Sequence, residues 1–423
     1  MAPSSPAPLL GGPADLAAHP NPLAADYTRF RVADRLLLTG HSHQAWPDVA
    51  YQAQKQAWLD AATYVDDKWE HAFRRSARIR AGVGDLLEDP GADVALGENT
   101  LELVARFLSA LPLRERPRLV TTDGEFHTIR RLLGRLGEEG VEIVRVPAHR
   151  PDAPVDGLSR RLAHAVDART AAVLVSSVLY ESALRVPELG LVQDACRRHG
   201  AELLVDSYHS VNVVPLSLPL EGLADAFVVG GGYKYLQWGE ACCFLRLPRQ
   251  TRLRPILTGW FGEFGELGAP RVPGGVAYGE GADRFAGSTF DPTAHYRAAA
   301  VLDHFQTRGL TVPLLRELNQ HQVGRLLRRI QEADLDPRQL QVAHEVPLED
   351  RGGFLALQAP QAAELVAALR RRGVFTDARG DRLRLGPAPY LSDTQLDDAV
   401  GHLAEIVREL PPAREEPGRS VTG

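Results

Sequence analysis

The sequence predicts an α/β protein with a large, doubly wound and mostly parallel sheet, followed by a smaller α+β C-terminal domain. The chain has 423 residues, of which 44% are hydrophobic and 24% charged, the balance of a globular protein of two or three domains. Aliphatic runs alternate with helical patterns up to about residue 250, which is typical of parallel strands covered by helices on both faces. After about residue 300 long helical patterns and a few short strands take over.

The domain limits follow from these changes in pattern. Residues 1 to about 25 and the tail 411–423 are rich in Pro, Ala or charge, and we expect both to be flexible. The large domain is expected over 26–295 and the small domain over 296–410, with the N-terminal part of the former packed on the latter. Strands of the large sheet are predicted from aliphatic runs that begin at Val94, Arg118, Val141, Ala171, Glu202, Ala226 and Cys242. In the small domain we predict helices over Ala298–Gln306 and Thr311–Ala333 and strands near Gln341, Phe354 and Arg382.

Composition excludes several classes of function. A net charge of −6 provides no basic surface for nucleic acid or anionic lipid. Three cysteines are too few for a disulfide framework and fit a reducing cytoplasm. The sequence begins without a secretory signal pattern, and no run approaches the ~18 apolar residues of a spanning helix. We therefore expect a cytoplasmic protein without nucleic-acid, membrane or metal partners.

Two residues at predicted strand ends point to chemistry. Asp206 closes the run that begins at Ala201, so its carboxylate should emerge at the sheet edge where doubly wound proteins bind ligands. Lys234 follows the next strand behind Gly230–Gly232 and is one of only three lysines among 48 basic residues. A buried amine with a lowered pKa is a natural Schiff-base nucleophile. The plainer alternatives are a carboxylate that caps a turn and a surface lysine.

A helix start upstream completes the pattern. Asn99 precedes an apolar stripe at helical spacing and is a plausible N-cap, with Thr100 at the first helical position. Free amides at a helix start suit a phosphate group. A phosphate site, a later Asp and a Lys 28 positions beyond it together indicate a pyridoxal 5'-phosphate (PLP) site.

Three motifs resemble kynureninase and its relatives in the class V aminotransferase group, which are PLP-dependent enzymes of fold type I. They are the stretches 205–210, 232–236 and 258–262, and the similarity extends over roughly residues 30 to 400. The resemblance implies that Lys234 holds the cofactor aldehyde and moves the α-proton, and that Asp206 pairs with the pyridine nitrogen. It also implies cofactor contacts from Asn99, Thr100, Phe126, His209, Tyr233, Trp260 and Ser288.

The resemblance further implies a homodimer with shared active sites, in which Trp260 and Ser288 reach the neighbouring subunit's phosphate. Arg384 matches the arginine that grips the substrate α-carboxylate, a task suited to a guanidinium. Ser42 lies in a loop that loosely resembles the family's substrate loop, and Glu263 stands where kynureninases carry a histidine. Taken singly, the aromatic residues could be core residues, His209 a core or loop histidine, and Arg384 a surface residue.

The activity implied is hydrolytic cleavage of the Cβ–Cγ bond of an amino acid, giving alanine and an aryl acid. Two departures, Gly232 for a family serine and Glu263 for the histidine, leave the substrate open. The alternatives are a cysteine or selenocysteine lyase, an aminotransferase of the same superfamily, and a catalytically silent protein on a PLP scaffold. A nucleotide-binding domain is disfavoured because Gly230–Gly232 leads into Tyr-Lys-Tyr and opens no helix.

Overall fold

A seven-stranded sheet lies at the centre of the computed structural model, which describes residues 12–149, 157–268 and 274–411. The strands are β1 (Leu36–Leu37), β2 (Asp93–Gly97), β3 (Arg118–Thr122), β4 (Glu142–Val146), β5 (Thr170–Ser176), β6 (Glu202–Asp206), β7 (Phe227–Gly231), β8 (Cys243–Leu247), β9 (Gln341–Val342), β10 (Leu355–Gln358), β11 (Val374–Phe375), β12 (Asp377–Arg379) and β13 (Arg382–Leu385). The helices are α1 (Pro13–Ala17), α2 (Asp48–Tyr64), α3 (Lys68–Leu86), α4 (Thr100–Ala110), α5 (His127–Glu138), α6 (Leu158–Ala165), α7 (Leu189–His199), α8 (Thr293–Arg308), α9 (Val312–Glu332), α10 (Ala362–Arg371) and α11 (Asp393–Glu409).

The large sheet has the order β2-β8-β7-β6-β5-β3-β4, and β8 alone runs antiparallel to its neighbours. All seven residues of β5 and all five of β7 are buried, because helices cover both faces of the sheet. All seven strands predicted for this domain are present, and the prediction of a mostly parallel α/β fold is confirmed. The carboxyl ends of β5, β6 and β7 meet at one edge of the sheet, where Asp206 and Lys234 were expected.

The helix α4 begins where the sequence predicts. Its side chains Leu103, Val104 and Phe107 are buried against the sheet. The side-chain oxygen of Asn99 accepts a hydrogen bond from the amide of Glu102 at 2.9 Å, so Asn99 is the N-cap. The cap satisfies the amide of Glu102, and the first amides of the helix have no partner within it.

The small domain combines α9, α10 and α11 with a four-stranded antiparallel sheet in the order β12-β13-β10-β9. The short strand β1 pairs in parallel with β11, and the amide of Gly40 donates to the carbonyl of Gly386 at 2.8 Å. Residues 36–40 therefore pair with the C-terminal segments that contain β11 and Gly386. The strands β1, β11 and β12 have two or three residues each, too few to give a periodic signal in the sequence.

The described part of the expected N-terminal arm, residues 12–25, departs from the prediction. Leu16 of α1 and Leu23 of the 3₁₀ turn that follows are fully buried, and the side-chain amide of Asn21 donates to the carbonyl of Pro389 at 2.8 Å. Burial of these leucines outweighs the high Pro and Ala content on which the prediction rested. Residues 1–11 and 412–423 lie outside the described residues.

The predicted limit between the domains, at residues 295 and 296, falls within the helix α8. The helix α8 begins at Thr293, three residues before the predicted limit, and packs against α2 and α3 of the large domain. Within the described ranges, no helix is both long and apolar enough to cross a lipid bilayer.

Candidate active site

A small cavity lies at the carboxyl edge of the large sheet. It is bounded by the end of β6, the segment after β7 and the first turns of α4 and α5. Six predicted site residues line it: Thr100, Phe126, Asp206, His209, Tyr233 and Lys234. Side chains that are more than one hundred residues apart in sequence thus converge on one cavity.

Lys234 extends into this cavity from the segment after β7 and is only 5% exposed. Its Nζ lies 2.8 Å from Nε2 of His209, 4.6 Å from the ring centre of Tyr208 and 5.4 Å from that of Phe126. Burial lowers the pKa of Lys234 to about 7, because the charged form loses its hydration; Asp206 acts in the opposite direction. The amine is therefore partly neutral at physiological pH and can act as a nucleophile or base.

Asp206 lies at the end of β6, beside the strand that leads to Lys234. Among the described residues its carboxylate accepts one hydrogen bond, from the amide of Tyr208 at 2.8 Å. Burial raises the pKa of Asp206, while that amide and the charge of Lys234 act to lower it. The carboxylate thus has capacity for a further partner on the cavity side.

His209 is buried between the cavity and the small domain, with its ring centre 6.2 Å from that of Phe354. Burial, and then the charge of Lys234, lowers the pKa of His209 well below its ordinary value. The imidazole is accordingly neutral and is available for hydrogen bonding.

The opposite end of the cavity is the start of α4. Thr100 and Val104 line it, and the capped helix directs unpaired amides and the positive end of its dipole toward the cavity. Tyr233 also lines the cavity, with its ring 5.0 Å from that of Tyr208. This end of the cavity suits an anionic group.

Arg384 lies outside this cavity, on β13 of the small domain, and is 2% exposed. Its guanidinium donates to both carboxylate oxygens of Asp377 and to the carbonyl of Tyr180. The ring of Tyr180 lies 5.3 Å from that of Phe126, and the guanidinium of Arg384 lies 5.6 Å from the ring centre of Phe354, so Arg384 is buried close to the cavity. The alternative that Arg384 is a surface residue is therefore wrong.

Four predicted residues lie away from the Lys234 cavity. Trp260 and Glu263 belong to a 3₁₀ segment, Trp260–Glu266, and the indole of Trp260 donates to Oγ1 of Thr289 at 3.2 Å. Ser288 lines a second, larger cavity between this segment and α3 and α4. Ser42 lies in the loop before α2, with its hydroxyl 3.0 Å from Nδ1 of His43. Within one chain, these four side chains do not line the cavity that contains Lys234.

Several residues of the site were missed by sequence reasoning. Tyr208 lines the cavity, and Tyr180 and Phe354 are aromatic neighbours of Phe126 and His209, respectively. Tyr208 lies within the motif that contains Asp206, so its position two residues after a strand end was a usable signal. Tyr180 and Phe354 come from distant segments whose proximity depends on tertiary packing, and the sequence carries no local signal for that.

Glu125 was also missed, although it is adjacent to Phe126. It is buried and accepts hydrogen bonds from Oγ1 of Thr122 at 2.7 Å and from Oγ of Ser176 at 2.5 Å. Burial raises the pKa of Glu125 to about 7, to which the charge of Asp206 contributes. The carboxyl joins the ends of β3 and β5 next to the site.

The chemistry of these side chains fits PLP. The cofactor needs an amine for its aldehyde, a carboxylate for its pyridine nitrogen and an anion site for its phosphate. Lys234 offers the amine, Asp206 the carboxylate, and the start of α4 the anion site, all at one cavity. Phe126 adds an aromatic wall.

Comparisons with known proteins agree with this fit. The family model described as the kynureninase C-terminal domain matches residues 317–403. A Bacillus subtilis protein described as an uncharacterized aminotransferase, YcbU, is 23% identical over 355 residues, which cover 82% of this chain and 88% of the relative. A kynureninase of Bacillus cereus is 27% identical over 372 residues, which cover 84% of this chain and 82% of the relative.

Solved structures share the fold at low sequence identity. A C-DES variant with glycine covalently linked to its PLP cofactor aligns with a TM-score of 0.78 at 15% identity, over 90% of this chain and 99% of that one. The apo cysteine desulfurase of Thermococcus onnurineus aligns with a TM-score of 0.76 at 15% identity, over 92% of this chain and 98% of that one. The chain therefore shares the fold of these PLP-enzyme structures, and over residues 317–403 it is similar to the kynureninase C-terminal domain.

Proposed function

We propose that this protein is a PLP-dependent enzyme that hydrolyses the Cβ–Cγ bond of an amino acid, giving alanine and an aryl acid. The observation that carries the proposal is the convergence of a buried amine, Lys234, and a buried carboxylate, Asp206, on one cavity beside a capped helix start. The match to the kynureninase C-terminal domain supports the choice of reaction.

When bound, PLP supplies an electron sink for the charge left when a bond at the substrate's α-carbon breaks. Lys234 would anchor the cofactor and move the α-proton, because its Nζ is buried and has a pKa of about 7. Asp206 would keep a proton on the pyridine nitrogen, and Phe126, which lines the same cavity, would lie against the ring. The start of α4, with Asn99 as N-cap and Thr100 at the first position, receives the phosphate.

The substrate would lie between the cavity and the small domain. Arg384 would bind the α-carboxylate, because its guanidinium donates to the carbonyl of Tyr180 and lies 5.6 Å from the ring centre of Phe354, next to the cavity. Aromatic rings flank this region: Tyr180 lies 5.3 Å from Phe126, and Phe354 lies 6.2 Å from His209, between ring centres. Such walls favour a flat, apolar substrate side chain.

We further propose that the active protein is a homodimer in which Trp260 and Ser288 serve the partner's site. Trp260 is 43% exposed, and Ile256 and Leu257 nearby are 81% and 54% exposed. Large apolar side chains grouped on a surface mark an interaction site. Glu263 of the same segment would then lie near the partner's substrate.

A C–S lyase is the second candidate, because one solved structure of this fold is a cystine C–S lyase in complex with cysteine persulfide. The cysteines bear on this choice. Cys196, Cys242 and Cys243 are all buried, and burial raises the pKa of each thiol. A desulfurase that carries a persulfide needs a reactive thiolate, so a lyase without persulfide transfer is the form of this candidate that fits. Transamination is the third candidate reaction.

The test begins with the absorbance of the purified protein incubated with PLP, before and after borohydride, with Lys234→Ala as the matched control. We expect wild type alone to retain the cofactor covalently after reduction. The loaded protein is then incubated with kynurenine, 3-hydroxykynurenine, cysteine and cysteine sulfinate, and the three-carbon product is identified. Alanine together with an aryl acid supports the proposal, pyruvate points to a lyase, and no cofactor uptake would overturn it.

A further inference from the structure

The guanidinium of Arg384 is held along one edge. Its Nε donates to Oδ1 of Asp377 at 2.9 Å and its Nη2 to Oδ2 at 2.5 Å, while Nη1 donates to the carbonyl of Tyr180 at 2.7 Å. A guanidinium carries five N–H groups, so one remains on each terminal nitrogen. A carboxylate can approach the guanidinium end-on and accept one hydrogen bond from each of these two terminal nitrogens.

Asp377 is held in turn by His41. Nε2 of His41 lies 2.8 Å from Oδ1 of Asp377, and the imidazole is fully buried and stacked on Phe354 at 4.7 Å between ring centres. Burial, and then the charge of Arg384, lowers the pKa of His41 to about 4, so the ring is neutral and its Nε2–H donates to the carboxylate. Burial acts to raise the pKa of Asp377, but His41 and Arg384 outweigh it and hold that pKa below its ordinary value. The carboxylate is therefore ionised at neutral pH.

The backbone fixes all three partners. Asp377 on β12 and Arg384 on β13 are directly opposite each other in an antiparallel pair, the arrangement in which cross-strand charges meet. His41 is held by the close approach of its loop to Gly386, where a Cβ would lie 2.2 Å from Nδ1 of the imidazole. The ion pair is 3% exposed on the arginine side and 19% on the aspartate side, so water screens it little.

We propose that Asp377 is a positioning residue of the substrate site, which holds Arg384 by one edge so that its two remaining N–H groups face the α-carboxylate of the substrate. His41 keeps Asp377 in place. The inference rests on the proposed function, in which Arg384 binds that carboxylate. It predicts that loss of the Asp377 charge weakens the binding of amines that carry an α-carboxylate and leaves amines without one unaffected.

The experiment compares L-alanine with ethylamine, which has no carboxylate, as ligands of the PLP-loaded protein, followed by cofactor absorbance. In Asp377→Asn we expect the dissociation constant for alanine to rise about tenfold or more, and that for ethylamine to stay within about twofold. The control is Asp397→Asn. Asp397 pairs with Arg325 through the same two-bond geometry, at 2.8 and 2.7 Å, on the outer helices of the same domain. That variant should leave both constants unchanged.

A second variant addresses the case in which Asp377→Asn does not fold. His41→Phe keeps a ring against Phe354 and removes the N–H that Asp377 accepts, and we expect a severalfold loss of affinity for alanine alone. An equal loss of affinity for both ligands would overturn the inference. So would an unchanged affinity for alanine in a variant that folds. Failure of the proposed function is seen separately, because wild type would then take up no PLP or would not prefer alanine to ethylamine.

Discussion

The reactivity of Lys234 follows from where its side chain ends. Its Nζ is surrounded by the rings of Phe126, Tyr208 and Tyr233 and lies beside a neutral imidazole, so the ammonium form is poorly solvated. Neutral amine is the species that attacks an aldehyde. A pKa of about 7 makes roughly half of the molecules reactive at neutral pH, whereas an exposed lysine, with a pKa of about 10, is almost wholly protonated.

We therefore predict that the rate at which cofactor-free protein captures PLP rises with pH and is half-maximal near 7. The measurement is the growth of cofactor absorbance after mixing, from pH 5 to 9. In Asp206→Asn the midpoint should move lower, because the Asp206 charge raises the pKa of Lys234. A midpoint near 10 in wild type would contradict this account of the amine.

Glu125 should make the stability of the protein depend on pH in an unusual direction. Its pKa is raised from 4.5 to about 7 in the folded chain, so the folded state holds this proton more tightly than the unfolded state does. Its contribution to the free energy of unfolding is thus present below about pH 4.5 and is lost as the pH rises through 7. The pKa change corresponds to about 3 kcal/mol.

Glu125→Gln should remove this dependence, and denaturant unfolding at pH 5 and pH 8 measures it. The drop in the free energy of unfolding between the two pH values should shrink by about 2–3 kcal/mol relative to wild type. Glu138→Gln, at an exposed position at the end of α5, is the control. If the drop in the free energy of unfolding between pH 5 and pH 8 is the same in Glu125→Gln as in wild type, the Glu125 carboxyl of the folded wild-type protein is already ionised at pH 5.

At the scale of elements, the start of α4 has a structural role as a capped helix end, and we propose that it also binds the phosphate. Asn99→Ala should lower the free energy of unfolding by about 1 kcal/mol through loss of the cap, and it should also weaken PLP binding, because the first turn frays. Thr311→Ala removes the N-cap of α9, whose hydroxyl accepts from the amide of Leu314, and so gives the matched control. That variant should lose stability without losing cofactor affinity. If Asn99→Ala and Thr311→Ala lost the same affinity for PLP, the proposed phosphate site at the start of α4 would be refuted.

The central elements were predictable because each carries its own signal. The run Thr170–Ser176 is apolar throughout and is buried on both faces, and Asn99 precedes a clear amphipathic stripe. Asp206 and Lys234 could be placed together because strand ends in a parallel sheet share an edge. By contrast, α1 depends on Leu16 contacting distant parts of the chain, and no local pattern encodes that.

The substrate side of the site was less predictable for the same reason. The Asp377–Arg384 pair could have been inferred from the short turn between β12 and β13, with Gly380 at its centre, because such a turn sets opposite residues face to face. His41 joins this pair from a loop that is distant in sequence, so only the assembled fold reveals it. The same holds for Tyr180, whose carbonyl accepts from Arg384.

At the scale of the whole molecule, the proposed dimer has a direct test. Trp260→Glu places a charge on an exposed apolar surface, so it should shift the protein to monomer in sedimentation and reduce PLP retention, if the partner's site needs this segment. Leu220→Glu, at an 86% exposed position, is the control, and it should change neither the oligomeric state nor the retention of PLP. A Trp260 variant that remains dimeric and holds its cofactor as well as wild type does would disprove the shared site.

The pairing of β1 with β11 has a consequence for biosynthesis. Leu36 and Leu37 leave the ribosome early, whereas their partners Val374 and Phe375 emerge only after nearly the whole chain has been made. Throughout elongation the early strand has an open edge and two apolar side chains without their native neighbours, a state prone to association with other nascent chains. The domain that carries Arg384 can therefore close only when translation is almost finished.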